Sequence, residues 1–126
     1  MTVTTDIAAC LRPARSELLA RVPGIAHGVS HRVDGLGAAD GNIGLGSPRD
    51  KADAWAMRML WAEQIGVDPH TIVTGGQVHG TDILRIEAAD AGKGSREGIP
   101  QVAIGDGLMT DALGVTLLTL HADCQP

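Results

Sequence analysis

Two side chains in this 126-residue sequence have the chemistry to hold a borderline-soft metal ion, and both stand where a strand should end. His79 lies in Gln77-Val78-His79-Gly80, and Cys124 closes His121-Ala122-Asp123-Cys124 directly after an apolar run. A third segment, Asp106-Gly107-Leu108-Met109-Thr110-Asp111, adds two carboxylates. Imidazole nitrogen and thiolate sulfur are the ligands zinc prefers, and catalytic zinc sites often combine three protein ligands with one open position. Read singly, a histidine is more often structural and a free cysteine more often a small buried hydrophobe. The pair alone therefore does not fix a metal site. Side chains alternate along a strand, so His121 and Asp123 share one face while Ala122 and Cys124 share the other. His121 is accordingly not expected to join Cys124 on a metal.

Those residues need elements to position them. Residues 1–21 read as a weakly ordered entry segment, with Pro13 opening a short helix through Leu18, Leu19 and Ala20. A strand carrying Ile25, His27 and Val29 on alternate positions follows Pro23. From Ser30 to Gly46 the glycines Gly35, Gly37, Gly41, Gly44 and Gly46 predict positive φ or close approach at several points. Asn42, Ile43 and Leu45 interleave with them and predict an ordered loop with an apolar anchor.

The strongest helix spans 48–65, with Ser47 as N-cap, Pro48 in the first position and Asp50 in the first turn. Its stripe is Ala52, Trp55, Ala56, Met59 and Leu60, and Gly66 stops it. Arg58 sits beside that stripe, able to reach round the helix edge. Strands are predicted at 71–79 and 81–87, then a long polar connection over 89–100. Gly114–His121 reads as a strand buried on both faces. An interior strand needs neighbours on both edges, so a chain finishing five residues later reads as interrupted. Residues 22–126 are then expected to be the first part of a single domain.

Composition excludes several function classes. Ten Lys and Arg, scattered through a chain of net charge −5, give no nucleic-acid footprint. Val115–Leu120 is too short to span a bilayer, and no basic start precedes a long apolar stretch. A cytoplasmic protein without nucleic-acid or membrane partners is the expectation, and a Cys10–Cys124 disulfide is not expected. With no Phe, no Tyr and only Trp55 and Trp61, the core must come from aliphatic side chains. Such a core leaves a thin stability margin.

From His27 to Pro126 the sequence resembles the YfiH family, also labelled laccase-domain or multicopper polyphenol oxidase. His27-Gly28-Val29-Ser30 with Arg32 resembles its opening HGxSxR, and Asn42-Ile43-Gly44-Leu45 its NLGL. Arg58 takes the place of the arginine in the following helix. Gln77-Val78-His79-Gly80 matches QVHG, Asp106–Asp111 resembles aDalvTD, and Ala122-Asp123-Cys124 matches ADC.

The resemblance implies an α+β fold, a mixed α/β sandwich of the YfiH type, incomplete at the C-terminus. It implies zinc held by His79, Cys124 and a third histidine in a downstream HAGWRG segment with no counterpart here. It also implies purine nucleoside phosphorylase activity on inosine, adenosine and methylthioadenosine, with possible adenosine deamination at C6. On that reading Arg58, backed by Asn42 and the Gly44 loop, takes the phosphate. Gln77 orients base or ribose, and Asp106 or Asp123 takes a proton or holds a ligand in place. Copper with polyphenol oxidase activity is the family's other label, although only five histidines are present. A non-catalytic piece working with a complementing C-terminal half, or as a homodimer, is the remaining alternative.

Overall fold

The structure is a computed structural model that describes residues 11–121, so Cys10, Asp123 and Cys124 lie outside the described residues. The chain divides after Val67 into two compact units.

In the first unit, helix α1 (Glu17–Ala20) is capped by Ser16, whose side chain accepts from the Leu19 amide. The expected strand over 25–29 is a single antiparallel bridge between Ala14 and Val29. Gly28 lies so close to α2 that a Cβ there would stand 2.8 Å from Ile65 Cγ1. The guanidinium of Arg15 ties the segment down, donating to the carbonyls of His27 (2.7 Å) and Gln64 (2.9 Å). Its partners are backbone groups, which carry no sequence signal.

The long helix α2 (Lys51–Ile65) begins later than the sequence predicts. Asp50, not Ser47, is the N-cap, because its carboxylate accepts from the Asp53 amide (3.0 Å). Pro48 lies in the turn ahead of the helix, where the Arg49 amide donates to Gly46 (3.1 Å). At the other end Gly66 takes φ 91° and its amide donates to Ala62. The buried face is Ala54, Met57, Arg58, Trp61 and Ala62. This has the expected three- and four-residue spacing but is rotated from the expected stripe. Met59 is 38 % exposed, whereas Ala56 and Leu60 pack on the flank of the core. The helix is apolar nearly all round, so its period could not choose the phase. Leu11, Leu36, Met57 and Trp61 form the core, with Val33 and Ile43 packed against it. Leu36 and Ile43 thus anchor the Gly-rich loop.

The second unit is built from short parallel pairs. Strand β1 (Ile72–Val73) pairs with β4 (Thr116–Leu117) in the register Ile72↔Thr116. Strand β2 (Ile83–Arg85) pairs with β3 (Gly107–Met109) in the register Ile83↔Gly107. The ladders are far shorter than the predicted 71–79, 81–87 and 114–121. After Val73 the chain exchanges partners: the Val102 amide donates to Thr74, and the Gly76 amide to Ala103. Nor is the last segment buried on both faces, since Leu117 and Leu120 are 36 % and 37 % exposed.

Val73 and Ile86 are fully buried. Gly75 and Gly105 allow a close backbone approach, because a Cβ on Gly75 would stand 2.7 Å from the Gly105 carbonyl oxygen. The polar connection after Ile86 is ordered by a reciprocal cap between Glu87 and Asp90 around the turn Ala88–Asp90. Ser95 is buried there, its amide donating to Gly92. Helices with small parallel sheets make this the expected α+β fold.

Candidate active site

Two sequence-predicted clusters assemble, one in each unit. In the second unit Gln77, His79 and Asp106 meet where β1 has run out. The parallel bridge between Gly76 and Ile104 brings the 77–80 turn beside Asp106. Asp106 Oδ1 accepts from the amides of Val78 and Gly80, both at 2.9 Å, and Oδ2 from that of His79 at 3.0 Å. Three consecutive backbone N–H groups thus form a concave nest around one carboxylate. Its hydrogen bonds, chiefly from Val78 and Gly80, hold the Asp106 carboxyl below its ordinary pKa. Inside the turn His79 takes φ 60°, a left-handed conformation uncommon outside glycine.

Gln77 is equally engaged. Its Oε1 accepts from the Leu120 amide and its Nε2 donates to the Leu120 carbonyl, each at 2.8 Å. The side chain expected to face base or ribose instead behaves as a strand neighbour to Leu120. Cys124 follows Leu120 by four positions in the sequence, and both it and Asp123 lie outside the described residues. The His121 ring shares a hydrogen bond with the Thr119 hydroxyl (2.8 Å). Asp111, at the end of the third motif, pairs with Arg85 (3.1 Å), and Thr110 donates to the Ile86 carbonyl.

The exposed His79 ring makes no hydrogen bond among the described residues. An accessible imidazole on a backbone fixed by three hydrogen bonds fits a metal ligand. No three His, Cys, Asp or Glu side chains converge for a metal among the described residues.

In the first unit Asn42, Gly44 and Arg58 gather round the Gly-rich loop. Asn42 closes a ring with Gly44, Nδ2 donating to its carbonyl (3.0 Å) and Oδ1 accepting from its amide (3.2 Å). Arg58 is 3 % exposed, and its Nε donates to the Ile43 carbonyl (2.8 Å). Burial lowers its pKa to about 10. Sequence reasoning missed Arg49, whose Nη1 donates to Asn42 Oδ1 (2.9 Å). Its position between the glycines and α2 was the available signal, obscured by reading 47–50 as helix start. Gly44 lies close to this guanidinium: a Cβ there would stand 2.9 Å from Arg49 Nη1, at the far end of a flexible side chain.

Residues 26–126 match the family described as multi-copper polyphenol oxidoreductase laccase. The chain is 36 % identical over 85 residues to purine nucleoside phosphorylase YlmD of Geobacillus stearothermophilus, covering 68 % of this chain and 31 % of the relative. It is 35 % identical over 108 residues to purine nucleoside phosphorylase SCO2081 of Streptomyces coelicolor, covering 83 % and 42 %. Its structure matches the crystal structure of YlmD with a TM-score of 0.64, over 68 % of this chain and 32 % of that one. It also matches Bacillus licheniformis hypothetical protein YfiH, at 26 % identity and a TM-score of 0.62, with the same coverage. The chain thus spans less than half the length of the curated relatives it matches.

Proposed function

Because the chain belongs to the multi-copper polyphenol oxidoreductase laccase family, we propose that it supplies part of the active site of a zinc-dependent purine nucleoside phosphorylase. The observation that carries this reading is the exposed imidazole of His79 on a turn braced by Asp106. The names of the relatives, all purine nucleoside phosphorylases, support the same reaction. His79 and Cys124 would hold the metal, together with a ligand from a segment corresponding to the relatives' remaining length. When bound, zinc supplies Lewis acidity toward an oxygen.

The chain's own contribution to the chemistry is binding and orientation. Phosphorolysis transfers the ribosyl group from the purine nitrogen to phosphate, so the site must hold an oxyanion. Arg58 remains cationic at neutral pH, and Arg49 places a second guanidinium on the same loop. Charge-assisted hydrogen bonds from guanidinium suit phosphate oxygens. Asn42 holds the loop through its two bonds to Gly44 and accepts from Arg49. Asp123 follows Leu120 closely enough in sequence to share the site of Cys124. Inosine, adenosine and methylthioadenosine are the expected nucleosides, with adenosine deamination as a second activity.

The test is phosphorolysis of inosine by this chain alone and by the chain completed with the unmatched C-terminal portion of YlmD. Little or no turnover is expected alone, and turnover on completion. His79→Ala should reduce the completed enzyme by more than the roughly 10–100-fold cost of losing an outer partner of a metal ligand. Robust turnover by the purified chain alone, or a completed enzyme indifferent to His79, would overturn the reading. The family's description favours one alternative, a copper-dependent phenol oxidase. An intense visible band with copper and turnover of a phenol would establish that instead.

A further inference from the structure

We propose that Asp106 and Gln77 are positioning residues. Asp106 fixes the backbone that presents His79, and Gln77 ties that same turn to the chain leading to Cys124. What is positioned rests on the metal reading above, whereas the bracing itself stands on the hydrogen bonds of Asp106 and Gln77.

The argument begins with the cost of the turn. The left-handed region is strained for a residue with a Cβ, and His79 adopts it at φ 60°. Val78, His79 and Gly80 are all exposed, so burial does not enforce the conformation. Asp106 does: both its oxygens are spent on the three consecutive amides. A nest of this kind ordinarily receives an anion from outside. Here the chain fills it with its own carboxylate, so this turn is not where phosphate goes.

Gln77 completes the brace in a second direction. The β1–β4 ladder ends where the Leu118 amide donates to Val73. Residues 74–76 then turn their hydrogen bonds to 102–105, leaving Leu120 without a main-chain neighbour from that strand. The Gln77 side-chain amide takes over, satisfying both the N–H and the C=O of Leu120. The β4 end is thereby held two residues from His79 along the chain, and Cys124 follows four residues on.

The test measures amide hydrogen exchange and zinc affinity on the full 126-residue chain. In the unaltered protein the exposed amides of Val78, His79, Gly80 and Leu120 should exchange at least about tenfold more slowly than in free peptide. Asp106→Asn, nearly isosteric, should speed exchange at 78–80 while leaving Val73 and Ile86 protected. Gln77→Ala should speed Leu120 alone. Zinc affinity, read by competition with a chromophoric chelator, should fall by about 10–100-fold in Asp106→Asn. His79→Ala serves as the reference for loss of a ligand. Free-peptide exchange at 78–80 and Leu120 in the unaltered chain would overturn the proposal without any variant. So would Asp106→Asn binding zinc like the unaltered protein while His79→Ala does not. Undiminished zinc binding by His79→Ala would sink the metal reading instead, and the exchange pattern alone would then decide the brace.

Discussion

Arg58 is a cation buried among the described residues, at 3 % exposure. Burial lowers its pKa from the ordinary arginine value to about 10, so the buried charge opposes folding at neutral pH. The unfolded chain binds more protons between those values, so this group's contribution to stability rises with pH across that window. Its charge is correspondingly lost there. Phosphate binding through Arg58 should therefore weaken as pH rises through about 10, well before an ordinary arginine would titrate. Phosphorus NMR titration of the protein across that range measures it. Arg58→Lys cannot keep both the Nε bond to Ile43 and a planar fork. It should weaken phosphate by about tenfold, the lower end for a charge-assisted hydrogen bond. No dependence on pH or on this substitution would remove Arg58 from the anion site. The residue types of the two clusters were legible in the sequence, from QVHG and NIGL. Their hydrogen bonds were not, because Gln77 and Asp106 spend their polar atoms on backbone groups that every residue carries.

At the scale of elements, α2 shows what periodicity fixes and what it leaves open. Its existence, its length within three residues and its stop at Gly66 follow from Asp, Gly and the apolar spacing. Its rotation does not, since alanine, methionine, leucine and tryptophan occupy several faces at once. The start was decided by competition between two caps three residues apart, which Asp50 wins through its bond to the Asp53 amide. Asp50→Ala should therefore lower stability by about 1 kcal/mol, while Ser47→Ala should change it little. Urea denaturation of both variants separates the cases, and a larger loss for Ser47→Ala would restore the earlier helix start. The strands were overestimated for a different reason. The Gly75–Gly76 step lets the chain leave β4 for residues 102–105, and hydropathy cannot register a change of partner. Gly105 is packed so closely that a Cβ would stand 2.7 Å from Leu84 Cγ. Gly105→Ala should cost about 1–3 kcal/mol through overpacking, seen as faster exchange at Ile86.

Across the whole molecule, a core with Trp61 as its buried aromatic ring among the described residues, and with no Phe or Tyr in the chain, leaves stability open to ligands. A metal that binds the folded chain adds stability by mass action, about 2.7 kcal/mol at a free concentration one hundred times its dissociation constant. A domain of this size should register that as a Tm rise of several degrees, since each kcal/mol moves a small domain by about 2–8 °C. The rise requires ligands that the fold brings together, because cysteine and histidine in an unfolded chain also bind zinc and reduce the effect. His79→Ala and Cys124→Ser should therefore abolish it, whereas His121→Ala, whose ring is bonded to Thr119, should retain it. Differential scanning calorimetry with and without zinc makes the comparison. A rise that survives loss of both His79 and Cys124 would place the metal elsewhere in the chain. A rise lost only with His121 would show that the segment after β4 turns its other face to the metal, against the alternation that sets His121 and Cys124 on opposite faces.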